Sequence, residues 1–351
     1  MVEKIKMSCI VVHKYDAEKA IRVLRKHGLL ATDFKVMRCK DVVKIPTIKP
    51  LTKNVKIAFN NEDISFKETV DYFERKSIVK TYKDLVKNIP KEAMDKLPSS
   101  YDIVGEAILI RIPEEAMNYA QIIGEALLRF HKNIKGVYAV TGETYGEERL
   151  TPLKLIAGNN VEKTVYVEHG VKFVVNIGKT YINPSLSFEH HRIAEEVGDG
   201  EKILDMFCGI GGFSLTIACR KKAEICAADI NPYAIKSLIS SLKINKLKGT
   251  IYPILGDSAY VFSKFFNKTF DRVIMNLPGN AYQFLKYACR VLSGNGGIIH
   301  YYRFAEAINE VIFEFLRLIS SFRSVVKILY IRKVIEVSPR KRLYVIDAYV
   351  M

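Results

Sequence analysis

Residues 203–232 read ILDMFCGIGGFSLTIACRKKAEICAADINP: a buried strand, a glycine-rich turn, a helix, and a second buried strand that ends in Asp229. Such a unit is half of a nucleotide-binding sheet, so it commits the chain to an α/β fold with a bound small molecule. The turn Cys208-Gly209-Ile210-Gly211-Gly212 puts residues without Cβ where backbone must approach a ligand closely. Asp229, about twenty residues beyond, is placed to accept ribose hydroxyls. A glycine turn that only carries the chain from strand to helix is the plain alternative.

The spacing departs from G-x-G-x-x-G, and Asp205 closes the first strand where its charge would oppose a diphosphate. A cationic ligand without phosphate suits that acid better. S-adenosylmethionine, with its sulfonium and amino group, is the expected cofactor. Strands and helices then alternate to the end of the chain. LDMF, EICAADI, TIYPIL, RVIMNL, GGIIHYY, VVKILYI and RLYVIDAYV make seven strands, which suits a doubly wound, mostly parallel sheet closed by an antiparallel hairpin.

A chain of 351 residues, 49% hydrophobic, is long enough for two or three domains, each with its own core. No apolar run reaches the roughly eighteen residues of a membrane span, and MVEKIKMSCIVVHKY lacks the core and cleavage site of an export signal, so a cytoplasmic protein is expected. Cys9, Cys39, Cys208, Cys219, Cys226 and Cys289 are scattered, with no C-x-x-C, so neither a disulfide framework nor a metal site is expected. Lys and Arg number 54 against 38 Asp and Glu, a formal charge of +16 that favours a polyanion, and nucleic acid above all. A merely solvated basic surface is the other reading of that charge.

The first domain is expected over residues 1–68: a strand over 6–13, Asp16 as N-cap of AEKAIRVLRK, and Gly28 as its stop. A linker or helical arm over 69–98 follows. From Arg75 to Lys96 it carries Arg75, Lys76, Lys80, Lys83, Lys87, Lys91 and Lys96, a solvated face or a phosphate-contacting strip. A second domain, 99–172, opens with SSYDIVGEAILIRIP as a strand and EEAMNYAQIIGEALLRFHK as an amphipathic helix, and continues through strand, turn and strand. TVYVEHGVKFVVNIGKTYIN reads as a hairpin turning at His169-Gly170 and leads into a cofactor domain over 173–351.

Open α/β sheets bind ligands beyond the C-terminal ends of their strands, and the fourth strand of the cofactor domain, DRVIMNLPGNAY, ends there in Asn276-Leu277-Pro278. An Asn amide can hold a flat ring at its edge while Pro278 stiffens the loop. The tripeptide is similar to the Asn-Pro-Pro-aromatic signature of enzymes that methylate exocyclic amines, but Gly279 stands where the aromatic would be. Ahead of the first strand, INPSLSFEHHRIAEEV places Glu189 at a helix start, where a carboxylate could take a proton. A first-turn acid favoured by the helix dipole is the other reading. His190 and His191 are weaker candidates, because adjacent helical side chains point apart.

Taken in order, YDIVGEAILI, YGEERL, NIGKTYINPSLSFEHHRI, LDMFCGIGGFS, AADINPYAI, ILGDS, VIMNLPGNAYQFL and GGIIHYY resemble the archaeal and eukaryotic tRNA (guanine-37 N1)-methyltransferases over residues 99–351. The resemblance implies a Rossmann-like class I methyltransferase domain preceded by two smaller α/β domains. It implies methyl transfer from S-adenosylmethionine to N1 of guanosine 37 in the anticodon loop, by a monomer whose first domain touches the tRNA elbow. By the same resemblance Glu189 is the general base, Arg149 the partner of guanine O6, and Asn276 the residue that orients the base. Tyr181, Asp205, Phe207, Gly209, Asp229, Ile230, Asp257, Asn276 and Pro278 match cofactor contacts, with Asp229 on the ribose and Asp257 on the adenine amine. The basic strip and Arg340, Lys341 and Arg342 would hold phosphates. Two departures stand out: Ser185 follows Pro184 where many members carry arginine, and His190-His191 follow Glu189 where a Glu-Arg pair is frequent, so one cation is expected to be missing. Methylation of carbon 7 of a wyosine precursor, or aminocarboxypropyl transfer at the same position, are the neighbouring activities. Asp229 and Asn276 argue against the latter.

Overall fold

The computed structural model describes residues 4–76, 79–338 and 340–351. Ser77 and Ile78, inside the expected linker, lie outside the described residues. The chain divides into two units, Met1–Asp84 and Leu85–Met351. In the first, β1 (Lys4–His13), α1 (Ala17–Lys26), β2 (Met37–Cys39), β3 (Val42–Pro46), α2 (Lys53–Asn61) and β4 (Phe66–Glu74) form an antiparallel sheet of order β2-β3-β1-β4 with two helices. Ile10, Val12, Leu24, Ile45 and Phe59 are buried between them. Gly28, at φ +65, ends α1 as expected. Asp16 sits before α1 but makes no side-chain cap bond, because Lys14–Asp16 already form a 3-10 turn. The boundary expected at residue 68 falls within β4, where Glu68 pairs with Ile10 and the strand runs on to bury Phe73.

Nor is the linker one helical arm. It holds a 3-10 turn, Tyr82–Leu85, and the short helix α3 (Lys91–Asp95), with Tyr82, Val86, Ala93 and Leu97 buried while Lys80, Lys87, Lys91 and Lys96 stay exposed.

The second unit begins with a four-stranded sheet of order β5-β6-β7-β8: β5 (Asp102–Val104), β6 (Ala107–Ile110), β7 (Gly136–Val140) and β8 (Leu153–Gly158), with α4 (Glu114–Met117) and α5 (Ala120–Phe130) between β6 and β7. Two sequence expectations are corrected here. SSYDIVGEAILIRIP is two strands rather than one, since Gly105 turns at φ +57 and a Cβ there would lie 2.2 Å from Thr164 Oγ1. The expected long helix is two, broken at Asn118 and Tyr119. The hairpin β9 (Lys163–Glu168) and β10 (Val171–Asn176) turns at His169 and Gly170, both at positive φ, which matches the twist of a tight hairpin. Residue 172, expected to end the second domain, lies inside β10.

After the hairpin come α6 (Ser187–Glu196), β11 (Lys202–Asp205), α7 (Gly212–Arg220), β12 (Glu224–Asp229), α8 (Pro232–Leu242), β13 (Thr250–Leu255), α9 (Ser258–Phe265), β14 (Arg272–Met275), α10 (Ala281–Val291), β15 (Gly297–Ala305), α11 (Ile308–Ile319), β16 (Val325–Ser338) and β17 (Lys341–Val350). The sheet order is β13-β12-β11-β14-β15-β17-β16, parallel from β13 to β15 and closed by the antiparallel β16–β17 pair. This is the doubly wound, seven-stranded sheet that the alternation of apolar strands and helices predicts. Successive side chains along each strand go to opposite faces. Ile203, Ala227 and Ile274 pack with α6, α7 and α8, while Leu204, Ala228, Val273 and Met275 pack with α10 and α11. No helix among the described residues is long and apolar enough to cross a membrane.

Candidate active site

The central strand β11 ends in Asp205, whose neighbours across the sheet are Ala227 of β12 and Ile274 of β14. Its carboxylate is fully buried. Oδ2 accepts from Ser214 Oγ at 2.6 Å, and Oδ1 has no hydrogen-bond partner among the described residues. Burial pushes the Asp205 carboxyl up to about 6, against the Ser214 hydrogen bond and with help from the charge of Asp229. A buried acid with an unmatched oxygen suits a cation, and it opposes the diphosphate of a dinucleotide.

The turn that follows is held by the next strand. Gly209 (φ +54) donates its N–H to Asp229 Oδ2 at 2.7 Å, and Asn231 N–H donates to Oδ1 at 2.9 Å. Asp229 is thus fixed at the end of β12, with burial raising its carboxyl above the usual range. Gly211, at φ +94, starts α7, and a Cβ there would lie 2.5 Å from Leu238 Cδ1, so the turn admits only glycine without adjustment. Phe207 packs edge-on against Phe284, with ring centroids 4.9 Å apart. Ile230 is exposed beside Asp229, and Asp257 is exposed at the head of α9, where Oδ1 accepts from Ala259 N–H.

On β14, Met275 pairs with Tyr301 of β15, and Asn276 follows directly where β14 ends, at the C-terminal end of the parallel strands. Asn276 Oδ1 is buried and has no partner among the described residues. The loop beyond it is latched by Arg303, whose Nη1 donates to the carbonyls of Pro278 (3.1 Å) and Gly279 (2.9 Å) while its other nitrogens grip Glu314 at 2.8 and 3.0 Å. A Cβ on Gly279 would lie 3.8 Å from Arg149 Nη1, in ordinary van der Waals contact, so the guanidinium reaches this position of the loop. Arg149 also lies over the Tyr181 ring, 5.9 Å from its centroid, and its own φ of +55 belongs to the turn that bridges Tyr145 and Leu150.

Tyr302 carries the geometry on to α6. Its hydroxyl donates to Glu189 Oε2 at 3.0 Å, and Arg192 adds two donors to the same oxygen, Nε at 3.1 Å and Nη2 at 2.7 Å. Glu189 is fully buried, and its Oε1 has no hydrogen-bond partner among the described residues. Arg332 Nη1 comes within 3.7 Å of that oxygen. Cations reach Glu189 from elsewhere than the next residue, Arg192 one turn along and Arg332 on β16.

His190 turns away from Glu189. Its Nδ1 lies 2.7 Å from buried Glu168 Oε1, and its ring meets Phe213 edge-on. His191 stacks on His169 at 4.7 Å.

Residues 164–328 match the TRM5/TYW2 methyltransferase domain, residues 82–161 the TYW2 N-terminal domain, and residues 9–56 the tRNA methyltransferase 5 N-terminal domain. The chain is 37% identical over 290 residues to the tRNA (guanine(37)-N(1))-methyltransferase Trm5b of Pyrococcus abyssi, covering 82% of each protein. The Trm5/TYW2 family includes this chain. The crystal structure of Trm5b from the same organism superposes with a TM-score of 0.74 at 32% identity, over 98% of this chain and 99% of that one. A solved complex of aTrm5 with tRNALeu superposes with a TM-score of 0.77 at 30% identity and the same coverage. Likeness to the tRNA(Phe) (4-demethylwyosine(37)-C(7)) aminocarboxypropyltransferase of Pyrococcus horikoshii is shorter: 30% identity over 226 residues, 62% of this chain and 76% of that one.

Within this Trm5/TYW2 member, sequence reasoning missed Arg192, Tyr302, Arg303, Glu314 and Arg332. Only Arg192 left a signal, as a basic residue three positions after Glu189 on a helix. The one group of potential metal ligands found among the described residues, Glu196, His300 and Asp347, already holds a guanidinium: Arg192 Nη1 donates to Glu196 at 2.7 Å and to Asp347 at 2.6 Å. For the loop latch, Arg303→Met is expected to lower the single-turnover rate about tenfold, since a displaced reacting group loses catalysis steeply. Rapid-quench kinetics measure it, and an unchanged rate would remove the latch from the reaction.

Proposed function

We propose that the protein transfers a methyl group from S-adenosylmethionine to N1 of guanosine 37 in the anticodon loop of tRNA. The observation that carries this reading is Glu189, a fully buried carboxylate with one oxygen held by three donors and the other without a hydrogen-bond partner among the described residues. Guanine N1 bears a proton, so it becomes a nucleophile only as that proton leaves. Glu189 Oε1 accepts it: the N1–H bond breaks, an O–H bond forms, and the electron pair stays on N1. Negative charge then grows toward O6, where the Arg149 guanidinium stabilises it by a charge-assisted hydrogen bond. The free Asn276 Oδ1 is an acceptor for a donor on the guanine edge.

S-adenosylmethionine supplies an electrophilic methyl group when bound. Asp205 Oδ1 suits its cationic end, Asp229 its ribose and Asp257 its adenine amine. Tyr181, Phe207, Gly209, Ile230, Asn276 and Pro278 complete the walls. The target edge is stacked in a folded loop, so the guanosine must be turned out to reach this site. Basic residues of the Arg75 to Lys96 stretch and Arg340, Lys341 and Arg342 would hold phosphates, and the first unit would contact the tRNA elbow. Base, turn and asparagine are all carried by one chain, so light scattering should return a single copy of 40.0 kDa.

The test is nucleoside analysis of tRNA treated with purified protein and labelled S-adenosylmethionine. One methyl on N1 is expected for transcripts with guanosine 37 and none for transcripts lacking it. A gain of an aminocarboxypropyl group, or methylation confined to a wyosine precursor, would replace this reading with its neighbours.

A further inference from the structure

We propose that Arg192 and Tyr302 are positioning residues for the base, holding Oε2 of Glu189 so that Oε1 alone meets the substrate, with Asp347 holding Arg192 in turn. The proposal rests on the reading that Glu189 takes the N1 proton. Oε2 accepts from Arg192 Nε at 3.1 Å, Arg192 Nη2 at 2.7 Å and Tyr302 Oη at 3.0 Å, while Oε1 accepts nothing among the described residues. A carboxylate has about four lone-pair sites. Three donors on one oxygen therefore leave the other as the place where a proton can go, and they oppose any rotation that would exchange the two.

The fork is itself held. Arg192 Nη1 donates to Asp347 Oδ2 at 2.6 Å, and the guanidinium lies 4.3 Å from the Tyr330 ring centroid. Asp347 Oδ1 is 2.6 Å from His300 Nδ1, and His300 Nε2 is 2.7 Å from Arg272 Nη1. A guanidinium only donates, so Nε2 accepts and the ring hydrogen sits on Nδ1, pointing at Asp347. Pairing with Asp347 and Glu196 would satisfy a structural arginine. The two further donors and a buried phenol converging on one oxygen of Glu189 exceed what charge neutralisation asks for. They are what orientation needs.

The charged and titratable groups facing Glu189 come from every element packed on it: Arg192 from its own helix, Tyr302 from β15, Arg332 from β16, and Asp347 of β17 through Arg192. Arg332 lies 3.7 Å from Oε1, beyond hydrogen-bond reach, with its guanidinium over the Phe188 ring. It neutralises without occupying the oxygen.

The experiment is single-turnover methylation of guanosine-37 tRNA across tRNA concentration with the full chain carrying Tyr302→Phe, Arg192→Lys or Glu189→Gln, with cofactor affinity measured by calorimetry. Tyr302→Phe is expected to lower the single-turnover rate at saturating tRNA about threefold to tenfold while the tRNA concentration for half-saturation stays near native, since the base loses a donor that fixes its orientation and no contact to the tRNA. Arg192→Lys keeps the charge but not the planar fork and is expected to cost about tenfold or more. Cofactor affinity should not move in either. Native saturating rates in both, beside an inactive Glu189→Gln, overturn the positioning role and leave the base standing. A native rate in Glu189→Gln overturns the base itself. Should Arg192→Lys melt early, Tyr302→Phe decides alone, because it removes one buried hydroxyl and keeps the ring.

Discussion

Glu189→Gln should reduce single-turnover methylation about 10²-fold or more while cofactor affinity stays within about twofold of native, because general-base catalysis contributes on that scale and binding does not depend on it. Glutamine keeps the volume and can still accept from Tyr302 and Arg192, so the fold is retained as far as one buried position allows. What it loses is a proton acceptor on the oxygen that has no hydrogen-bond partner among the described residues. Alanine would confound the result by leaving Arg192 facing an empty cavity, since removing one member of a buried pair strands the other charge. Rapid quench with excess enzyme separates the chemical step from tRNA release. A native rate would assign the deprotonation to another group and return Glu189 to a structural place in α6.

Asp205→Asn should weaken binding of S-adenosylmethionine about 10- to 100-fold, the range for losing a hydrogen bond to a charged group. The native protein should show a pH dependence that the variant lacks. With the Asp205 carboxyl pushed up to about 6, it must shed a proton before it can pair with a cation, so affinity should fall as pH drops below about 6, by up to tenfold per unit. The unliganded protein moves the other way. A carboxyl raised from 3.8 to about 6 by folding favours the folded state when protonated, and that stability is lost as pH rises from about 4 to 6. Asp205→Asn should therefore stabilise the unliganded protein near neutral pH, by roughly 2–3 kcal/mol at most. Calorimetry across pH 5 to 8 together with urea melts separates the two effects. A flat native binding profile would detach Asp205 from the cofactor.

These two acids were legible in the sequence for different reasons. Asp205 and Asp229 close apolar strands on either side of a glycine turn, a pattern that local periodicity exposes, and β11 and β12 end on those residues. Glu189 was visible as a helix-start acid, but its partners were not. Tyr302 is 113 positions away and Asp347 is 155 positions from Arg192, so nothing in the spacing could join them. Arg149, one arginine among many in the chain, became distinctive once its guanidinium lay beside Gly279 and over Tyr181.

Local propensity misled where tertiary contacts overrule it. The strand expected through Gly105 breaks because the chain turns there at φ +57, β6 folds back on β5 and Glu106 N–H donates to Thr164 Oγ1, and the N-terminal sheet runs past residue 68 because β4 continues to pair with β1 and bury Phe73. What the amino-acid order determined unaided was the α/β alternation, the seven-stranded sheet and the acidic turn, since hydrophobic period and glycine placement act over a few neighbouring residues. The tertiary structure alone decided which oxygen of Glu189 is free, which cations flank it and what latches the Asn276 loop. Those depend on strand order and register, which bring residues a hundred positions apart within hydrogen-bond distance.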